Sequence, residues 1–156
     1  GAEALRGGPN DRIVKPLAAL LRAQRDERRS LGTGDELAPR LEALRESAAP
    51  ADFLASVVYA AAHVIGETLA PWKPDRVLLA GGSARNQALV RSLRAALPGV
   101  AVDPLDALGV PATHREAVEF AALGALCADR TPITLPAITG ARAPSPISGA
   151  WIDPRP

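Results

Sequence analysis

Six consecutive residues near the middle of the chain have the types and spacing that could bind a nucleotide. The segment 81–86 reads Gly-Gly-Ser-Ala-Arg-Asn and stands between a short apolar run and an amphipathic stretch. Because glycine has no Cβ, a flat ring or a sugar can lie directly against its backbone. The free N–H groups at the start of the following helix favour phosphate oxygens. We interpret the segment as a nucleotide-contacting loop, although its spacing alone also fits an ordinary strand-to-helix turn.

Two better-known nucleotide loops do not fit this segment. It lacks the Gly-x-Gly-x-x-Gly spacing of dinucleotide-binding folds, and it lacks the Gly-Lys-Ser/Thr end of a P-loop. Its predicted place after a strand is where ligands of open α/β sheets bind, at the carboxyl ends of the strands. The chemistry therefore points to contact with a nucleotide through an open backbone rather than through a phosphate-cradling lysine.

The composition indicates a folded, cytoplasmic protein. The 156 residues are 47% apolar and carry a net charge of +1, which gives no case for binding nucleic acid. Cys127 is the single cysteine, so an internal disulfide and a cysteine-based metal site are both excluded. No apolar run approaches the ~20 residues that span a bilayer, and the N-terminus has no signal-peptide pattern. We therefore expect neither a membrane nor a nucleic acid as partner.

Periodicity places the loop within an α/β order of elements. The pattern predicts helices over about 11–29, 35–47, 51–69, 85–97 and 114–129, and strands over about 76–80 and 100–102. The first strand, Arg-Val-Leu-Leu-Ala, is typical of a buried parallel strand. Two strands are too few for a sheet that is stable alone, so the fold requires more strands than the pattern shows.

Each helix is predicted to turn one apolar face inward, and Ala, Leu and Val are expected to fill the core. Asn10 is expected to cap the first helix, whose regular part is expected to begin near Pro16. Trp72 and Trp151 are expected to be packing residues, and Cys127 a buried thiol. The inward residues of the helix 51–69 are predicted to be Phe53, Leu54, Val57, Val58, Ala61, Val64, Ile65 and Leu69. Those of the helix 114–129 are predicted to be Ala117, Phe120, Ala121, Leu123 and Ala125.

The residues around the loop resemble the adenosine motif of sugar kinases in the actin/hexokinase/Hsp70 superfamily. Within it the chain resembles the anhydro-N-acetylmuramic acid kinases, because five family motifs occur here in the family's order, within residues 50–154. They are the loop itself, Asp-Ala-Leu-Gly-Val at 106–110, Glu-Ala-Val-Glu-Phe-Ala at 116–121, Leu-Pro-Ala-Ile-Thr-Gly-Ala at 135–141 and Gly-Ala at 149–150. Five ordered motifs are far more specific than the loop alone.

The resemblance implies a fold, cofactors and site residues. The fold would be α/β: a partial ribonuclease-H-like (actin/hexokinase-type) C-terminal lobe, helix-rich with a short, mostly parallel sheet. Residues 1–49 would form a helical N-terminal segment, and residues 50–154 the nucleotide-binding kinase lobe. The implied cofactors are ATP and Mg²⁺, and Glu116 would contact the amino sugar. The implied nucleotide-binding residues are Gly81, Gly82, Ser83, Arg85 and Asn86.

The resemblance also implies a reaction. Members of the family use ATP and water to open the 1,6-anhydro ring of anhydro-N-acetylmuramic acid, giving N-acetylmuramic acid 6-phosphate in peptidoglycan recycling. A carboxylate acts as general base on the water. The family's catalytic Asp and its first phosphate motif have no match in this sequence. We therefore expect the chain to supply the ATP lobe, to be inactive alone, and to form a homodimer or to associate with the missing N-terminal half.

Several residues leave a second interpretation open. Ser83 stands where the family has a third glycine, Thr113 where it has an acid, and Glu119 where it has an alanine. These departures favour the alternative of a catalytically dead paralogue, acting as a nucleotide-binding or protein-interaction module. Asn86 could equally cap the following helix, and Glu116 could simply be favourable near a helix N-terminus. Neither alternative is decided by the sequence.

Overall fold

The order of helices and strands confirms the predicted α/β class. The computed structural model describes residues 1–27, 37–140 and 142–143. The chain divides into two units, Gly1–Ala112 and Thr113–Pro156. The first unit contains α1 (Asp11–Asp26), α2 (Leu37–Arg45), α3 (Pro50–Leu69), β1 (Arg76–Leu79), α4 (Gln87–Ala96) and β2 (Ala101–Pro104). The second contains α5 (Arg115–Ala128) and the short α6 (Pro136–Thr139). Predictions for Trp151, Gly-Ala at 149–150 and the first residues of the second helix lie outside the described residues.

Asn10 caps α1 and also ties the segment before α1 to α3. The Asn10 side chain accepts a hydrogen bond of 3.0 Å from the Arg12 N–H and caps α1, as predicted. The Asn10 N–H donates at 2.8 Å to Oγ of Ser56, a fully buried hydroxyl on α3. The helix runs from Asp11 straight through Pro16, so the expected later start was wrong. The buried face around Leu17 holds the helix on both sides of the proline.

Most of the buried residues of α3 have small side chains. Two predicted inward residues are open to solvent, since Leu54 is 40% and Ile65 41% exposed. Val64 is buried, as predicted. The physical reason is close helix packing on two sides, by α1 and by α4. A Cβ built on Gly66 would lie 2.9 Å from the carbonyl oxygen of Ala96 on α4. The buried residues of α3 are Ala55, Ser56, Ala60, Ala62, Val64 and Gly66.

The α3 segment also corrects the expectation about apolar length. With the 3-10 turn that follows it, residues 50–72 are long and apolar enough to cross a bilayer by length and composition, the one such helix in the described residues. Core helices of globular proteins pass the same test. Here Ala60 and Val64 pack in a cluster with Val14 and Leu17, and Ala62 packs in a second cluster with Leu93. We therefore assign α3 to the core.

The sheet is parallel, as predicted, but less covered than predicted. In the described residues it has two strands, β1 and β2, with Val77 opposite Val102 and Leu79 opposite Pro104. Val77 and Leu79 pack against the cluster around Leu93 of α4. Leu78 points to the other face and is 36% exposed, which corrects the expectation of a strand buried on both faces. Parallel sheets are normally covered on both faces, so this one leaves a face open.

Other apolar residues are exposed where the sequence predicted packing. Trp72 is 81% exposed, so its assignment as a packing residue was wrong. On α5 the predicted inward face is exposed, with Phe120 at 73%. Cys127, by contrast, is buried as predicted. The predicted boundary between the N-terminal segment 1–49 and the kinase lobe 50–154 was drawn from the family resemblance and not from packing, and it stays a prediction.

A charged cluster on the surface joins α1 to α3. The Arg22 guanidinium donates two hydrogen bonds to the Glu67 carboxylate, at 2.8 and 2.7 Å. Nε2 of His63 lies 3.2 Å from Oε1 of Glu67, and Nη1 of Arg25 lies 3.7 Å from Oε2. The hydrogen bonds from Arg22 hold the pKa of Glu67 below its usual value, against a smaller opposing effect of desolvation. The pair therefore favours the ionised carboxylate in the folded protein.

We expect replacement of Glu67 with glutamine to cost stability in a pH-dependent way. Because the pKa of Glu67 is lowered on folding, the stabilisation is complete above the unfolded value of about 4.3 and is lost as the pH falls through the folded value. The midpoint of thermal unfolding should fall by a few degrees near neutral pH, since the pair is partly solvent-exposed. Circular dichroism melts at neutral pH and below pH ~4 test this. Glu46→Gln, at an exposed carboxylate, is the control, and a Glu67→Gln deficit of equal size at both pH values would contradict the prediction.

Candidate functional site

The predicted nucleotide loop begins at a residue whose backbone conformation requires glycine. Gly81 follows β1 with φ +80° and ψ −178°, a combination that is essentially restricted to glycine. Its N–H donates a hydrogen bond of 2.7 Å to the carbonyl oxygen of Ala112. A Cβ built on Gly81 would meet no atom within 4 Å, so strain rather than crowding selects the glycine. The loop therefore has a defined start, fixed at one end by a distant segment of the chain.

The next residue, Gly82, presents open backbone to the surroundings. It starts a 3-10 turn, Gly82–Arg85, which ends with the Asn86 N–H donating to the Ser83 carbonyl at 3.0 Å. Gly82 is exposed and does not have a positive φ. A Cβ built on it would meet nothing within 4 Å. The space that a side chain would fill is free, which is what a ring or sugar lying on the backbone needs.

Asn86 has the capping role that the sequence left as an alternative. Its Oδ1 accepts a hydrogen bond of 3.2 Å from the Leu89 N–H, in the first turn of α4. This bond satisfies one of the helix's free donors. A contact of Asn86 with ribose or adenine stays a prediction.

Ser83 and Arg85 complete the loop with exposed polar side chains. Within the described residues, neither side chain has a hydrogen-bonding or ion-pair partner. Arg85 lies at the end of the 3-10 turn and directly before the capping residue of α4. Both can therefore reach a ligand on the loop without first breaking an internal bond.

A second loop meets the first at the same edge of the sheet. Because β1 and β2 are parallel, their carboxyl ends lie side by side, and the loop 105–112 follows β2 as the loop 81–86 follows β1. Oδ2 of Asp106 accepts a hydrogen bond of 3.1 Å from the Ala112 N–H, and its carbonyl accepts from Gly109 at 2.9 Å. The prediction that Asp106 organises its own loop is confirmed. The bond from Gly81 to Ala112 was not predicted, since no sequence pattern near either residue indicates it.

The predicted sugar contact belongs to the second unit. Glu116 lies in the first turn of α5, where an acidic residue is favourable. Its side chain is exposed, and its Oε1 lies 3.6 Å from Nη2 of Arg115. The neighbouring Glu119 accepts a hydrogen bond of 2.9 Å from Arg115. The structure thus brings the five nucleotide candidates together on one loop and places Glu116 on the other unit, where its role stays a prediction.

The described residues offer no ready site for a divalent cation. They hold no group of three or more His, Cys, Asp and Glu side chains that could surround a metal ion. By contrast, the open backbone at Gly82 suits a nucleotide. We therefore assign none of the described residues to Mg²⁺ and derive no step through it.

Comparison with known proteins identifies the family. A family model described as anhydro-N-acetylmuramic acid kinase matches residues 32–152, beginning earlier than the predicted motifs. A Bordetella avium protein of that name is 40% identical over 95 residues, covering 61% of this chain and 25% of the relative. One from Chromobacterium violaceum is 36% identical over 118 residues, covering 74% and 32%. One from Bordetella parapertussis is 50% identical over 70 residues, covering 45% and 18%.

These matches confirm the resemblance that the motifs indicated. The chain spans about a quarter of the length of the curated relatives it matches, for example 25% of the relative from Bordetella avium. The matched residues include the loop 81–86, the loop 105–112 and α5. On these grounds the chain belongs to the anhydro-N-acetylmuramic acid kinase family.

Proposed function

We propose that this chain supplies the adenosine-binding lobe of an anhydro-N-acetylmuramic acid kinase. The observation that carries the proposal is the open backbone of Gly82, held after a parallel strand in a chain of this family. The family's name indicates the amino sugar as phosphoryl acceptor, and the resemblance implies ATP as donor. The proposed fold of the lobe is ribonuclease-H-like, of the actin and hexokinase type. The proposed setting is the cytoplasm, in peptidoglycan recycling.

The loop geometry supports a specific arrangement of the nucleotide. The adenosine would lie against Gly82, where no Cβ blocks the approach, and Arg85 would reach toward the phosphates as a free cation. Ser83 would donate or accept one hydrogen bond at the edge of the same turn. Asn86 already caps α4 through Oδ1, so a contact with ribose would come from its amide N–H groups.

The proposed reaction is the ATP-dependent opening and phosphorylation of 1,6-anhydro-N-acetylmuramic acid. Glu116 is the proposed sugar contact. We assign no residue among these 156 to the general base that activates the water, because none matches the family's catalytic Asp. The proposed division of labour is that this chain binds ATP, and that the base comes from residues outside it.

Titration with ADP and with ATP plus Mg²⁺, followed by calorimetry, tests the nucleotide site. We expect saturable binding of both nucleotides with one site per chain. GTP serves as the comparison, since contacts to an adenine should favour ADP and ATP over it. The absence of heat up to millimolar nucleotide would contradict the proposal and would favour the alternative, a non-catalytic paralogue that acts as a protein-interaction module.

A coupled assay for ADP release tests the proposed division of labour. With the 156-residue chain, ATP and the anhydro sugar, we expect only background turnover. Robust turnover would show that the general base lies within this chain, and it would refute that part of the proposal while leaving the nucleotide site intact.

A further inference from the structure

We propose that Asp106 is a positioning residue for the nucleotide loop, and that it acts through the backbone of Ala112. The inference rests on the proposed function, because the loop it positions is the proposed adenosine site. Two hydrogen bonds in series carry the argument. The Ala112 N–H donates to Oδ2 of Asp106 at 3.1 Å, and the Ala112 carbonyl accepts from the Gly81 N–H at 2.7 Å. Ala112 is thus hydrogen-bonded to Asp106 through its N–H and to Gly81 through its carbonyl oxygen.

The position of Gly81 makes this support necessary. Its backbone is in a region that other residues rarely adopt, and glycine has many other conformations available once a constraint is lost. Within the described part of the chain, the Gly81 N–H donates only to Ala112, and Gly81 directly precedes the open residue Gly82. Without the hydrogen bond to Ala112, the backbone of Gly81 could rotate and the orientation of the Gly82 peptide group would not be fixed. Fixing it holds the loop in one shape before a ligand arrives, and such preorganisation favours affinity.

The surroundings of Asp106 and Ala112 explain how the loop 105–112 contacts the loop 81–86. Ala112 is buried, so both of its backbone groups need partners within the protein. Asp106 itself is exposed and lies in the 3-10 turn Leu105–Leu108, where its carbonyl also accepts from Gly109. The left-handed Gly109 reverses the chain so that Ala112 returns beside β1. The Asp106 carboxylate therefore lies at the surface, so we expect its replacement to leave the core intact.

The acceptor, not the charge, is the property that matters here, and this sets the design of the test. Asp106→Ala removes the oxygen that Ala112 needs. Asp106→Asn keeps an oxygen acceptor of the same length and removes the charge. Asp103→Ala is the matched control, since Asp103 is a carboxylate three positions earlier that faces Arg76 at 3.4 Å and has no bond to either loop.

Amide hydrogen exchange at Gly81, measured by NMR, and calorimetric titration with ADP are the two measurements. We expect Asp106→Ala to speed exchange at Gly81 at least tenfold and to weaken ADP binding about three- to tenfold. Asp106→Asn and Asp103→Ala should stay within twofold of wild type in both measurements. Rescue by asparagine is a result that mere loss of charge or of stability would not produce.

The two measurements separate this inference from the proposed function. If wild type does not bind ADP, the proposed function fails, while the exchange rates still decide whether Asp106 holds Gly81. Unchanged exchange at Gly81 in Asp106→Ala overturns the inference, whatever happens to ADP binding. Weaker ADP binding in Asp106→Asn equal to that in Asp106→Ala overturns it as well, because the charge alone would then explain the effect.

Discussion

Replacement of Gly82 with leucine is expected to weaken ADP binding at least tenfold and to leave the protein folded. In the free protein a Cβ at Gly82 meets nothing within 4 Å, and the residue does not have a positive φ. The side chain therefore costs the fold little. It occupies the space directly over the backbone, where the adenosine is proposed to lie. Calorimetric titration with ADP, together with a thermal melt of the same sample, measures both effects.

Two further variants make that result interpretable. Gly124→Leu places the same side chain on a helical glycine of α5, where a Cβ also meets nothing within 4 Å. It should bind ADP as wild type does. Gly81→Ala puts a Cβ on a backbone with φ +80°, and we expect it to lower the free energy of unfolding by ~1–3 kcal/mol. If Gly82→Leu binds ADP normally, the open backbone is not the nucleotide site.

Replacement of Gly66 with leucine is expected to produce the largest loss of stability. A Cβ at this position would lie 2.9 Å from the carbonyl oxygen and 3.0 Å from the Cβ of Ala96. The first of these contacts is with backbone, so α3 and α4 would have to move apart. Overpacking of this kind costs about 1–3 kcal/mol, and we expect Gly66→Leu at the upper end. Urea unfolding followed by circular dichroism measures the free energy of unfolding.

A graded series distinguishes crowding from helix propensity. In an open helical position, glycine to alanine stabilises by about 1 kcal/mol. We expect that gain for Gly124→Ala on α5, where nothing crowds the new methyl group. Gly66→Ala should instead be neutral or destabilising, because the clash with Ala96 offsets the gain. A stabilised Gly66→Ala would mean that α3 and α4 can separate at little cost, and that the close approach does not hold the core together.

The site could be predicted in part because its local features depend on residues that are adjacent in the sequence. A short apolar run, two glycines and an amphipathic stretch indicated strand, loop and helix, and the structure contains all three. The asparagine before the helix left two roles open, and the structure shows the capping role. The role of Asp106 within its own loop was also predictable, since aspartate commonly organises turns. The contact of Gly81 with Ala112 was not, because the two loops meet only when β1 and β2 pair in parallel register.

The core of α3 shows a different limit of prediction. The spacing of Leu54 and Ile65 fits an inward stripe, and size favours their burial. Both are exposed, and Ala60, Ala62 and Gly66 are buried instead. Helical periodicity tells which residues share a face, but not which face meets a neighbour. That choice depends on how closely α1 and α4 approach, and small side chains permit the closest approach.

By itself the sequence determined the family, the α/β class, the helix cap at Asn10, and the loop that follows β1, and it left the cap at Asn86 as one of two alternatives. All of these depend on residues close in the chain or on motifs in a fixed order, which a linear pattern contains in full. Only the tertiary structure decided that the loop after β1 is hydrogen-bonded to the loop after β2, and which small residues of α3 are buried. These depend on contacts between distant segments, whose closeness is set by packing and by no local period.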